Sequence, residues 1–132
     1  MIHHQEDLCA LQNLTRHSWD TGLFSRIKEA ILGKDYRLSV ALIGDTRART
    51  LSRTYRHKDT KSNVLSFPLD TQNGEIFLNP ARIKREAHRF DLSPQGHLYY
   101  LFIHGCLHLK GHAHGVTMEK EEKHFLRRFH IV

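Results

Sequence analysis

Between residues 102 and 115 the chain reads FIHGCLHLKGHAHG, and this stretch holds four of its 12 histidines. His104 and His108 are four residues apart, so on a helix both imidazoles leave the same face, one turn apart. That is the ligand pair of a helical zinc site. Gly111 follows three residues later and can end the helix through backbone angles closed to residues with a β-carbon. A turn there can bring His114 back towards the first two side chains. Three imidazoles with a fourth position open make a catalytic zinc site, whereas a structural site wants a fourth protein ligand, usually cysteine. Cys106 does not supply it: two residues from each helical histidine, it turns to the far side of the helix. One histidine pair at this spacing often arises by chance. Three histidines with a glycine hinge, in an otherwise apolar segment, are a sharper pattern.

The spacing H-x-x-x-H-x-x-G-x-x-H resembles that of the metzincin metallopeptidases. Those enzymes carry glutamate directly after the first histidine, as general base for the attacking water. Here that position is Gly105. The residues therefore point to a metal site without the proton acceptor of a peptidase.

A chain of 132 residues is expected to form one domain with its own core, and 39% hydrophobic with 26% charged residues is the composition of an ordinary soluble protein. No apolar run reaches membrane-spanning length, and MIHHQEDL has no signal-peptide core, so a cytoplasmic location is expected. Two cysteines, Cys9 and Cys106, do not make a disulfide framework, and Cys106 reads as a small buried hydrophobe. The formal charge of +6 favours a polyanionic partner, nucleic acid above all.

The elements that must position the histidines follow from hydrophobic periodicity. Residues 2–5 read as a short first strand, with His3 and His4 facing solvent or pairing within it. Leu23, Phe24, Ile27, Ala30 and Ile31 share one helical face. Asp20 or Thr21 would cap that helix and Gly33 end it, with Trp19 a packing anchor just before. Residues 36–43 read as a strand. Asp45 then caps a second helix with Ala48, Leu51 and Tyr55 inward. Its other face carries Arg47, Arg49 and Arg53, and Arg56, Lys58 and Lys61 follow. Asp45 and Asp59 are the only acids in that interval, and such a density of positive charge fits a phosphate-facing surface as well as a solvated helix face.

Residues 64–69 and 75–78 read as a hairpin, with Pro68 at an edge or bend. Pro80 starts a helix with Ile83, Ala87 and Phe90 inward and Arg82, Lys84, Arg85 and Arg89 outward. Ser93 and Pro94 open the metal helix, apolar nearly all round from Leu98 to Leu109 and hence central. His97 is expected at the surface. A final amphipathic helix, residues 117–129, packs Met118, Phe125, Leu126 and Phe129, with Glu119 and Lys123 as an i,i+4 pair. The fold class is α+β: one compact domain over residues 1–132, a small mixed sheet packed by helices, and a central metal-binding helix.

With these residues in view the chain resembles the YbeY family of bacterial endoribonucleases and ribosomal RNA maturation factors. HGCLHLKGHAH, from His104 to His114, is similar to the family pattern H-G-x-L-H-L-x-G-[aromatic or His]-D-H. TYRHKDTKSNVLSFP, from Thr54 to Pro68, is similar to a second block, and GEIFLNP from Gly74 to a third. The resemblance implies one zinc ion per chain, held by His104, His108 and His114. It implies that Arg56 is the functional arginine near the cleft, where a guanidinium can clamp a phosphate bidentately and stabilise charge growing on it. The bland alternative is that Arg56 caps the second helix or pairs with Asp59. The sequence departs from the pattern at Ala113, where the family has aspartate, and His112 stands at the aromatic position. Ser62 and Glu75 are milder changes.

The function so implied is a zinc-dependent, single-strand-specific endoribonuclease. It would mature ribosomal RNA, at the 3′ end of the small-subunit RNA, and serve ribosome quality control. Its partners would be RNA, the small ribosomal subunit, ribosomal proteins and assembly GTPases, without DNA specificity or membrane attachment. Arg47, Arg49, Arg53, Lys58 and Lys61 would hold RNA by backbone contacts. The nucleophile would be a metal-activated water or the RNA's own 2′-hydroxyl. A reading from a different class is an assembly factor that binds the small subunit, with a mainly structural zinc and little nuclease activity.

Overall fold

The computed structural model describes residues 8–56, 63–112 and 115–132. In chain order the elements are β1 (Cys9–Asn13), α1 (Phe24–Leu32), β2 (Arg37–Leu42), α2 (Asp45–Arg56), β3 (Val64–Asp70), β4 (Asn73–Leu78), α3 (Pro80–Glu86), a 3-10 turn (Ala87–Phe90), α4 (Pro94–Leu109) and α5 (Val116–Arg128). The sheet order is β1-β2-β4-β3. β1, β2 and β4 run parallel, because a connection long enough to cross over separates each from the next. β3 and β4 are joined by a tight turn and pair antiparallel. Pro68, which has no N–H to give the ladder, lies on the edge strand β3, and the register shifts between it and Asp70. This is the expected α+β class with a small mixed sheet.

Alternation along β2 buries Leu38, Val40 and Leu42 and leaves Arg37 and Ser39 outside. Ile76 and Leu78 extend that apolar face across β4. Onto it packs α4, started by the Ser93 hydroxyl, which accepts from the Gly96 N–H at 3.0 Å, with Pro94 in the first turn. Leu98, Phe102, Ile103, Cys106 and Leu107 of α4 are all fully buried. Phe24 of α1 stacks on Phe102 with ring centres 4.1 Å apart and meets Tyr99 edge-on at 5.6 Å. α4 is thus the central helix its composition required.

Several expectations are corrected. The strand expected at residues 2–5 lies outside the described residues, and the first described strand is β1. Its sequence CALQN buries only Cys9, so it has no alternation to read and exists by pairing with β2. The α1 helix begins at Phe24 with Leu23 at the cap position and no side-chain cap. The Asp20 carboxylate instead accepts from the Gly22 N–H at 2.9 Å, in the turn before the helix. Asp45 opens α2, and its carboxylate also ties that helix to α3, accepting from Asn79 at 2.8 Å and from Arg85 at 3.3 Å.

Tyr55, expected inward, is 62% exposed and touches only the outer aromatic Phe67 among the ring contacts described, at 5.1 Å. Phe90 is 49% exposed. The helix does not continue to it: after Glu86 the backbone tightens to a 3-10 turn, whose three residues per turn rotate Phe90 off the α-helical stripe. His97, expected at the surface, is fully buried.

Candidate metal centre

Residues 104 and 108 fall one turn apart on α4, and the structure brings their Nε2 atoms to 3.1 Å of each other. Both rings are partly buried. Behind the first ring lies Glu122 of α5, whose carboxylate is 2.6 Å from His104 Nδ1. Glu122 itself is 6% exposed. A carboxylate only accepts, so Nδ1 is the donor in this contact, and Nε2 is the atom that faces His108. Tyr100, one turn before His104, stands against the same carboxylate. Its phenol is pushed up to about 12 by burial, then by the Glu122 charge and a hydrogen bond to it.

The end of α4 is built for a sharp turn. Gly111 has φ 107°, in the left-handed region, and its N–H bonds the His108 carbonyl while the N–H of His112 reaches back to Leu107. That pair of bonds is a Schellman closure, and the turn expected at Gly111 is present. His114 and Ala113, which follow it, lie outside the described residues. Among the described residues no group of three or more histidine, cysteine, aspartate or glutamate side chains could hold a metal ion.

The two described histidines nevertheless fit zinc. Two nitrogens about 2.0–2.1 Å from a tetrahedral zinc are about 3.3 Å apart, close to the separation seen. A carboxylate on the other ring nitrogen is the usual partner of a metal-bound histidine. Gly105, by contrast, faces away from the pair. A β-carbon on it would come 2.9 Å from Ser66 Oγ and 3.1 Å from Ile76 Cδ1. The glutamate that peptidases place there would meet this crowding, which agrees with the sequence reading of a site without a peptidase's proton acceptor.

The other expected site residues lie on or after α2. Arg47, Arg49 and Arg53 are exposed along it. Arg56 is its last residue, and its side chain, like Lys58 and Lys61, lies outside the described set. The Ser66 hydroxyl donates to the Gly105 carbonyl at 3.3 Å, so the next residue, Phe67, points to the opposite sheet face, where Tyr55 meets it. Tyr55, near the end of α2, and α4 therefore meet opposite faces of β3.

Reading the sequence missed three functional-looking groups. Glu122 falls on the apolar stripe of Met118, Phe125 and Leu126, and a carboxylate on such a stripe needs a partner. That signal was legible. Tyr100 and the buried pair of His97 with Glu86, 3.2 Å apart, were not, since their partners come from other elements. Rings continue along α4 from His97 through Tyr100 and His104 to His108, with neighbouring centres 4.6–6.4 Å apart. About 15 Å along α4 from His104, at the start of that helix, a groove of about 930 Å³ is lined by Arg16, His17, Trp19 and Lys84 among others.

Comparison with known proteins gives the family of the chain. A family model described as endoribonuclease YbeY matches residues 3–130. A protein of Pseudomonas putida named endoribonuclease YbeY is 38% identical over 102 residues, 71% of this chain and 65% of that protein. The chain thus spans a little under two thirds of the length of the Pseudomonas relatives first matched. One of the same name from Neorickettsia sennetsu is 35% identical over 111 residues, 76% of this chain and 78% of its own. A solution structure of a Thermotoga maritima protein shares the fold, with a TM-score of 0.64 at 24% identity over 89% of this chain and 86% of that one.

Proposed function

Because this chain belongs to the endoribonuclease YbeY family, matched over residues 3–130, we propose that it is a zinc-dependent endoribonuclease that cuts single-stranded RNA during maturation of ribosomal RNA. Its partner in that work is the small ribosomal subunit, in the cytoplasm, with quality control of ribosomes as a second use of the same activity. The observation that carries this reading is the convergence of the His104 and His108 Nε2 atoms at 3.1 Å, with a buried carboxylate behind one of them.

Zinc at such a site supplies Lewis acidity and a nucleophile at neutral pH. His104 and His108 hold it through Nε2, and His114 completes the set. Arg56 binds the scissile phosphate and offsets the charge that grows on it. Arg47, Arg49, Arg53, Lys58 and Lys61 grip the RNA backbone, which gives affinity without reading sequence. Choice of the cleavage point then rests on which strand is unpaired and within reach on the subunit. No side chain at position 105 takes a proton, since that residue is a glycine, and a β-carbon there would meet Ser66 and Ile76.

The test is cleavage of a single-stranded ribosomal RNA fragment by the purified chain, with and without chelator. His108→Ala and Arg56→Ala variants run beside it. Cleavage is expected to vanish with chelator and with His108→Ala, and to fall about 100-fold in turnover with Arg56→Ala. A folded, zinc-loaded chain that leaves the RNA intact would overturn the nuclease and leave the assembly factor standing.

A further inference from the structure

We infer that Glu122 is a positioning residue of the metal centre: it fixes the tautomer and orientation of His104, and so makes zinc binding depend on the docking of α5 against α4. The inference rests on His104 and His108 being zinc ligands, as read above. Four observations on the structure carry it. The Glu122 carboxylate lies 2.6 Å from His104 Nδ1, the shortest histidine contact described in the chain. It is 6% exposed, so water does not substitute for the protein groups around it. The Tyr100 hydroxyl approaches the same carboxylate, from one turn before His104 on α4. Glu122 lies on the same helical face as Met118, Phe125 and Leu126, which are buried against the core. A carboxylate held among them keeps its place through partners rather than through solvent.

The consequence for chemistry is specific. A neutral imidazole has one N–H and one lone pair, and an isolated ring can carry the proton on either nitrogen. With Nδ1–H donated to Glu122, the lone pair is on Nε2, the atom 3.1 Å from His108 Nε2. The carboxylate also stops rotation of the ring about its bond to Cβ. Both effects lower the cost of presenting Nε2 to a cation, and a charged acceptor behind the ring makes that nitrogen a better donor to metal. Position 113, beside His114, is alanine and offers no polar side chain for such a role. Glu122 comes from 18 residues beyond His104, so the support arrives with a separate helix. Zinc binding and α5 packing should then stabilise each other, since a ligand that binds only the docked form pulls the equilibrium towards it.

Two measurements test this, neither of them activity. The first is zinc affinity, by competition with a chromogenic chelator, for the unaltered chain, Glu122→Gln and Tyr100→Phe. Glu122→Gln is expected to weaken zinc about 10- to 100-fold while circular dichroism of the zinc-free chain stays unchanged. Tyr100→Phe, which leaves the carboxylate in place, is expected to weaken it by less. The second is the tautomer of His104 in the zinc-free, unaltered chain, read from long-range proton–nitrogen correlations with His104→Gln as the assignment control. The proton is expected on Nδ1, and a purely packing role for Glu122 would not impose that choice. Zinc binding by Glu122→Gln as tight as that of the unaltered chain would overturn the inference, and so would an Nε2–H tautomer. If Glu122→Gln fails to fold, the spectrum of the unaltered chain decides alone. Failure of the unaltered chain to bind zinc would instead bring down the metal reading, and this inference with it, so the two failures are told apart.

Discussion

His97 shows how one residue's chemistry is set by what covers it. Its ring is fully buried, stacked on Phe90 at 4.6 Å, with Nε2 3.2 Å from Glu86. Burial pushes its pKa below the ordinary 6.5, against the opposing pull of the hydrogen bond and charge of Glu86. Burial pushes Glu86 up, but hydrogen bonds from Asn63 and His97 and the charges of His97 and Arg82 outweigh it and hold that carboxylate low. A histidine with a depressed pKa contributes stability that is fully present above the unfolded value and is lost as pH falls through the folded one. Urea denaturation should therefore show stability declining as pH drops below about 6.5, and His97→Phe, which keeps the stack, should remove part of that decline. An identical slope in the variant would assign the decline to other groups. Gly105 makes a second prediction at this scale. With Ser66 Oγ and Ile76 Cδ1 within 2.9 and 3.1 Å of a β-carbon there, Gly105→Ala should cost about 1–3 kcal/mol of unfolding free energy.

At the scale of elements, α4 carries both the core and the His104–His108 pair. It buries Leu98, Phe102, Ile103, Cys106 and Leu107 and turns His104, with His108 beside it, towards Glu122 of α5. Removing the Phe102 ring opens a cavity beneath Phe24, with which it stacks, and should lower stability by about 3–5 kcal/mol in denaturant titration. Ser93→Ala removes the acceptor of the Gly96 N–H and should cost about 1 kcal/mol by the same measurement. Equal losses from the two would contradict the picture of α4 as a helix held by its core rather than by its cap. The thiol of Cys106, pushed up by burial before any neighbour acts, serves that core as a hydrophobe and not as a ligand.

On the whole molecule, positive charge is the feature that no single contact explains. The chain carries +6, and Arg47, Arg49 and Arg53 lie exposed along α2. If they meet RNA phosphates, changing all three to alanine should flatten the salt dependence of binding by about two in the slope of log affinity against log salt, at about 0.7 per single-strand phosphate. Filter binding at several salt concentrations measures it, and an unchanged slope would move the RNA to another face. The groove lined by Arg16, His17, Trp19 and Lys84 is the surface to test next in that event. Among the described residues no helix is long and apolar enough to cross a membrane.

What the sequence determined by itself was local. Spacing by fours put His104 and His108 on one helical face, Gly111 ended that helix, Ser93 began it, and two short apolar runs around a turn made the β3–β4 hairpin. Each depends only on backbone periodicity and on residues a few positions away. Burial and partnership across elements were decided by the tertiary structure. Tyr55 and Phe90 are apolar yet lie outside: Tyr55 meets only Phe67 among the ring contacts described, and the α3 helix tightens before Phe90. His97 is polar yet lies inside, because Glu86 arrives from another helix to meet it. The site itself divides in the same way. Its histidine pair is a property of one helix, but the carboxylate 2.6 Å from His104 comes from the next, and no periodicity within α4 contains it.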